Sequence, residues 1–267
     1  MKKVILFLLL VSVLALTACG SQSTSGSGSG DGSKGKKLVV GTDAAYAPFE
    51  YLKDGKIVGF DADLLKAVMK EAKLEYELKN TGWEPLFASL KSEQVQAGIS
   101  AITINDKRKE TYDFSSPYFE SINKILVKEG SSIKSVDDLK GKKVSVQNGT
   151  TGQDALEKKF GKGDANVKKY ETNVLAIQAL LNGEVDAVVA DNTVVDEYAK
   201  NNPDKKMTVV DDKTNFESEY YGIAFPKGSE NKKKIDKALK TVIDNGTYSK
   251  VYKKWFKVEP NLDALKK

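Results

Sequence analysis

No histidine occurs in the 267 residues, cysteine occurs once and proline six times. Without an imidazole the chain cannot host a Ser-His-Asp or Cys-His nucleophile, a His-bearing zinc site or a His proton shuttle. The single cysteine, Cys19, can neither close a disulfide within the chain nor build a cysteine-only metal cluster. Charge of one sign is also missing: 42 Lys and Arg face 37 Asp and Glu, and Lys2 and Lys3 belong to an N-terminal segment set apart below. A balance this close, spread along the chain, makes a solvated surface rather than the basic stripe that nucleic acid requires. A phosphate-gripping glycine loop is absent as well, because Gly26-Ser27-Gly28 belongs to a Ser/Gly-rich linker. No nucleotide, flavin or metal cofactor is expected.

What remains is a chain built to fold. Apolar residues make up 40% and charged residues 30%, and the length suits about two domains with a sizeable core. At the N-terminus, Lys2 and Lys3 precede an apolar run from Val4 to Leu16 broken only by Ser12, a secretory leader too short to span a membrane comfortably. Leu16-Thr17-Ala18-Cys19 then resembles the bacterial lipobox. That resemblance implies a signal peptide over 1–18 and a diacylglycerol on the sulfur of Cys19. From Gly20 to Lys37 no large apolar residue occurs, so nothing there offsets the entropy of ordering the backbone. Residues 19–37 thus read as a lipidated cysteine and flexible tether of about 25 Å reach. Two acyl chains anchor stably, which places the rest of the chain at the exported face of a membrane.

From Leu38 onward, short β-rich runs alternate with helical patterns, which predicts an α/β fold with parallel sheets and helices on their faces. Leu38 to Thr42 reads as a strand, 61–73 as a helix with Leu64, Leu65, Val68 and Met69 on one face, and 97–101 as a strand. A second series has strands at 143–146, 167–170 and 185–190, with helices between them and Asn182-Gly183 as a helix stop. Tyr220 to Phe225 is expected to be one strand, and the apolar stripes of the last helices are core.

In open α/β sheets ligands bind beyond the carboxyl ends of strands. Those ends offer Asp43, Tyr46, Phe49 and Glu50; then Thr103 and Arg108; then Asn148, Gly149, Thr150 and Thr151; and finally Asp191. Each also has a plain structural reading. Asp43 and Asp191 suit caps, Arg108 could pair with Glu110 or Asp113, and Gly149-Thr150-Thr151 could be a turn and helix cap. Together they supply one guanidinium, a helix N-terminus that favours an anion, and carboxylates that take an ammonium, the charge complement of a zwitterionic α-amino acid. Tyr46 and Trp83 add flat faces for a side chain, with Trp83 expected in a loop.

The region from Leu38 to about Pro260 resembles the polar amino-acid solute-binding proteins of ABC importers, family 3. The stretches that carry the resemblance are Gly-Thr-Asp-Ala-Ala-Tyr-Ala-Pro-Phe-Glu at 41–50, Val-Gly-Phe-Asp-Ala-Asp-Leu at 58–64, Ile-Thr-Ile-Asn-Asp-Lys-Arg at 102–108, Asp-Phe-Ser-Ser-Pro-Tyr at 113–118, Gly-Thr-Thr-Gly at 149–152, and Asn-Gly-Thr-Tyr with Tyr-Lys-Lys-Trp-Phe within 245–256. It implies the type II periplasmic-binding-protein fold, two α/β lobes joined by two hinge strands. Lobe 1 would take 38–118 plus 222–260, lobe 2 would take 119–221, and 261–267 would be a tail.

By the same resemblance, Arg108 and the backbone at Thr103 and Thr151, beside Thr150, would hold an α-carboxylate. Asp191 and the carbonyl of Ala101 would hold the α-ammonium, and Asp43, Tyr46, Trp83 and Gln147 would line the side-chain pocket. The sequence departs from the family pattern at Ala101, often Ser or Gly, and at Val95-Gln96, where Val-Asp is common. An acid, a neutral amide and two aromatic faces suit arginine, with lysine or histidine weaker and glutamine the alternative. The partners implied are a permease and an ATPase, with the binding chain a monomer. An enzyme of dehydratase type on this fold is a less favoured class, since no acid outside the ligand reading is visibly poised by burial.

Overall fold

The computed structural model describes residues 37–266. The expected leader (1–18), the lipidation site Cys19 and the tether up to Lys36 lie outside the described residues, as does Lys267.

The chain opens with β1 (Leu38–Thr42), the short hairpin strands β2 (Ala45–Tyr46), β3 (Glu50–Lys53) and β4 (Lys56–Val58), helix α1 (Phe60–Ala72), β5 (Tyr76–Asn80), α2 (Trp83–Lys91), β6 (Ala97–Gly98), α3 (Asp106–Lys109) and β7 (Tyr112–Phe114). A second run holds β8 (Phe119–Lys128), β9 (Val144–Gln147), α4 (Thr151–Phe160), β10 (Val167–Tyr170), α5 (Asn173–Asn182), β11 (Ala187–Asp191), α6 (Asn192–Asn201) and β12 (Met207–Val210). The chain closes with β13 (Ser218–Tyr221), β14 (Ala224–Pro226), α7 (Glu230–Asp244) and α8 (Thr247–Phe256).

Two main sheets result, ordered β5-β1-β6-β14-β7 and β10-β9-β11-β8-β12, with β13 paired to β8, beside a small third sheet β2-β3-β4. Each sheet has a parallel heart, β5-β1-β6 and β10-β9-β11, where βα units succeed one another. The expectation of parallel sheets is corrected at their flanks. β14 runs antiparallel to β6 and β7, and β8 runs antiparallel to β11 and β12.

The reason is that the chain passes twice between the sheets. β8 pairs with β13 from Phe119↔Tyr221 to Ile122↔Ser218, then with β11 from Asn123↔Asp191 to Val127↔Ala187. The single strand expected over 220–225 is in fact two, β13 serving the crossing and β14 the first sheet. The break falls at Gly222, where a Cβ would stand 2.7 Å from the Ile104 side chain.

Period-two alternation puts the faces of β11 into different cores. Ala187 and Val189 pack with Leu156 of α4 and Val144, while Val188 and Ala190 pack with Ala176, Ile177 and Leu180 of α5. In the first lobe the α1 stripe Leu64, Leu65, Val68 and Met69 joins Ile235, Leu239 and Val242 of α7. Burying each of these side chains stabilises by about 1.5–3 kcal/mol. Gly183 ends α5 in a left-handed conformation, as the sequence predicts. Among the described residues, no helix is long and apolar enough to cross a membrane.

Candidate functional site

The loops at the strand ends of both lobes converge on one narrow, partly open cavity of about 20 Å³. Asp43, Tyr46, Trp83, Ala101, Thr103, Arg108, Gln147, Thr150, Thr151 and Asp191 all line it, together with Ser100, which sequence reasoning missed.

The first lobe's half is held from behind by buried carboxyls. The Asp43 N–H donates to Ser100 Oγ (3.0 Å), and that hydroxyl donates to Glu50 Oε1 (2.7 Å). Ala101 sits in the left-handed region at φ +47°, a conformation costing about 1–3 kcal/mol at a non-glycine residue. Its N–H donates to Asp61 Oδ2 (2.8 Å), which also accepts from the Tyr118 hydroxyl (2.8 Å). Glu50 and Asp61 are fully buried. Burial raises both, Glu50 well above the usual carboxylate range and Asp61 to about 6. The charge of Asp61 adds to the rise at Glu50, and Glu50 Oε2 and Asp61 Oδ1 are left buried without a hydrogen-bond partner.

Arg108 reaches the cavity because Asn105 caps α3, its side chain accepting from the Arg108 N–H (2.8 Å). Its guanidinium donates to the Thr103 carbonyl (2.8 Å) and, across the lobe boundary, to the Gly149 carbonyl (3.2 Å). It also lies 5.3 Å from the ring centre of Trp83 and 5.2 Å from that of Phe87. The pairing with Glu110 or Asp113 does not form; Asp113 pairs with Lys227 instead. Trp83 is corrected too. It is the first residue of α2 rather than a loop residue, it is buried against Leu86 and Leu90, and its indole Nε1 has no protein partner.

From the second lobe, Thr150 caps α4 by accepting from the Gln153 N–H, so Thr151 opens the helix with first-turn N–H groups that no helical carbonyl can reach. Asp191 stands at the N-cap of α6 without making a capping bond. Its Oδ2 instead accepts from the hydroxyls of Tyr46 (2.5 Å) and Tyr221. Burial keeps both phenols protonated by pushing them well above their ordinary value. Gln147 Nε2 donates to Asp43 Oδ2 (3.0 Å) and the Glu171 carbonyl (3.0 Å), while its Oε1 accepts from Asn173 (2.9 Å).

Burial raises both Asp43 and Asp191 and lowers Arg108. A further acid lies directly behind the cavity wall. Burial pushes Glu219 of β13 up to about 7, with the charge of Asp191 adding to the shift. Glu50, Asp61 and Glu219 thus correct the expectation that no acid is poised by burial. Glu219 and Tyr221 escaped sequence reasoning because the crossing strand β13 is not separated from β14 by the sequence: Tyr221 falls inside the single strand expected over 220–225 and Glu219 just before it. Gln96 accepts from the Val39 N–H and lies outside the cavity. Among the described residues, no group of three or more Cys, Asp and Glu is placed to hold a metal ion.

A charged cavity trapped between two α/β lobes has clear relatives. The chain is 40% identical to a probable histidine-binding protein of Neisseria gonorrhoeae, covering 97% of both chains. It is 39% identical to the arginine-binding extracellular protein ArtP of Bacillus subtilis, over 96% of this chain and 98% of that one. Among solved structures, the arginine-, lysine-, histidine-binding protein ArtJ of Geobacillus stearothermophilus superposes with a TM-score of 0.86 at 64% identity, covering 87% of this chain and 100% of that one. These likenesses identify the architecture as the type II periplasmic-binding-protein fold. The model of the bacterial extracellular solute-binding proteins, family 3, matches residues 38–258, and the chain belongs to that family.

Proposed function

We propose that the protein is an extracytoplasmic amino-acid-binding lipoprotein of an ABC importer. It captures a basic L-amino acid, arginine first and lysine or histidine more weakly, by closing its lobes, and hands it to a permease energised by an ATPase. The observation that carries this reading is the charge of the cavity wall. Its only charged lining residues are Asp43, Asp191 and Arg108, two negative and one positive. Buried charge is costly unless paired, so the wall calls for a ligand with one net positive charge. Arginine, with one carboxylate and two cationic groups, meets that demand; glutamine, net neutral, leaves one acid unpaired.

In this reading Arg108 grips the α-carboxylate with the Thr103 and Thr151 backbone beside Thr150. Asp191 and the Ala101 carbonyl take the α-ammonium. Asp43, held by Gln147, takes the side-chain cation between the faces of Tyr46 and Trp83. The names of the relatives support the same substrate class. Cys19 carries the lipid anchor, the chain acts as a monomer, and it catalyses no reaction.

The test is Asp43→Asn, titrated with L-arginine and L-glutamine after unfolding and refolding to strip bound ligand. Losing one charged pair of about 1.5–3 kcal/mol weakens arginine roughly 10- to 100-fold and leaves glutamine nearly unchanged. Equal arginine affinity in parent and variant removes Asp43 from the pocket and favours glutamine.

A further inference from the structure

Behind the carboxylate end of the cavity, one oxygen atom serves both lobes. Glu219 Oε2 accepts from Thr103 Oγ1 (2.8 Å), which follows the first sheet's β6, and from Thr151 Oγ1 (2.8 Å), which opens α4 in the second lobe. Its Oε1 accepts from Asn123 Nδ2 (3.0 Å) on the neighbouring strand β8. Glu219 itself does not line the cavity, so it acts on a ligand only through the two threonines. These are the residues whose backbone is assigned to the ligand's carboxylate.

We propose that Glu219 is the positioning residue that locks the two halves of the carboxylate site together, and that ligand capture takes up one proton from solvent onto its carboxylate. This inference rests on the proposed function. It starts from charge: an incoming carboxylate would lie next to a second, buried one, and two such anions cannot share a dry site cheaply. A place for the proton exists. Asn123 Oδ1 is buried without a hydrogen-bond partner, while its Nδ2 donates to Glu219 Oε1 and, more distantly, to Thr151 Oγ1 (3.4 Å); turning that amide over would set an acceptor opposite Glu219 Oε1, to which a protonated Glu219 can donate.

The groups that face Glu219 are Arg108 of α3, which opposes protonation, and Asp191 at the end of β11, which favours it. Asp154 of α4 is paired to Lys107. On β8, Glu120 accepts from the Tyr220 hydroxyl, and Lys124 is paired to Asp196 and Asp211. Burial of Glu219 in the closed form raises it from 4.5 to about 7. Closure is therefore favoured at low pH and weakened as pH rises through that interval.

The experiment is calorimetric titration of L-arginine into the parent and Glu219→Gln from pH 6 to pH 8, repeated at pH 7 in buffers of low and high ionisation heat. The parent should bind about tenfold more weakly at pH 8 than at pH 6 and take up about half a proton or more at pH 7. The glutamine variant should lose most of that slope, any remainder coming from Asp43 and Asp191. A parent with no proton uptake, or a variant with the parent's slope, overturns the role of Glu219 while leaving arginine binding intact. A parent that gives no binding heat with L-arginine at any pH overturns the functional reading, and this inference with it. The buffer comparison needs only the parent chain, so it decides the matter even if the variant fails to fold.

Discussion

Replacing Arg108 by lysine keeps a positive charge at the cavity but removes its fork. Among 42 basic residues Arg108 is the only arginine, and its two terminal nitrogens already serve two different lobes, the Thr103 and Gly149 carbonyls at 2.8 and 3.2 Å. A lysine ammonium can keep one of these bonds, cannot bridge both, and cannot grip a carboxylate bidentately. Losing one charge-assisted bond across the lobe boundary and one to the ligand amounts to about 3 kcal/mol, or roughly 100-fold in Kd. The assay is calorimetric titration of stripped protein with L-arginine, beside a melt of each protein without ligand to confirm folding. A lysine variant that folds and binds within threefold of the parent would refute the carboxylate assignment.

Glu50→Gln tests whether the buried acid pair under Ala101 shares a proton. Both carboxyls of that pair are raised by burial, Asp61 from 3.8 to about 6 and Glu50 well above its usual range, so the stability they confer is fully present below the ordinary carboxylate values and is lost as pH rises through the raised ones. The parent's melting temperature should therefore fall from pH 5 to pH 8. The amide, which donates to Asp61 without a proton, should flatten that fall, leaving the part due to Asp43, Asp191 and Glu219, which burial also raises; an unchanged slope contradicts the pairing. Gly59→Ala should be severe, because the new Cβ would stand 1.9 Å from the Phe49 carbonyl oxygen at a φ of +141°. A cost of about 3 kcal/mol lowers the melting temperature by roughly 6–12 °C. Gly55→Ala, with nothing within 4 Å, is the control and should lose far less.

The site was legible where it depends on strand ends. Asp43 follows β1, Gln147 ends β9, Thr150 caps α4 and Asp191 ends β11, and alternating β and α patterns suffice to bring such positions to one edge of their sheets. What escaped was the layer behind them. Glu50, Asp61 and Glu219 touch partners between 40 and 116 residues away in sequence. No local periodicity signals such contacts. The crossing strands escaped for a related reason: Tyr220 to Phe225 reads as one β-prone run, and only the collision a side chain at Gly222 would make with Ile104 reveals a break there. Trp83 was misplaced because Thr81-Gly82 looks like a loop, whereas Gly82 is the residue that precedes the helix. Asp191 keeps the position of a helix cap yet spends its oxygen on two phenols, which propensity alone cannot foresee.

The most direct test of the central claim is titration of the unfolded and refolded mature chain with all twenty amino acids in a calorimeter. The account predicts that L-arginine binds most tightly, lysine or histidine more weakly, and glutamine weakly, as a wall with one excess negative charge requires. Binding of glutamine alone would contradict the charge argument, and no heat from any of the twenty would contradict the assignment of the cavity to an amino acid.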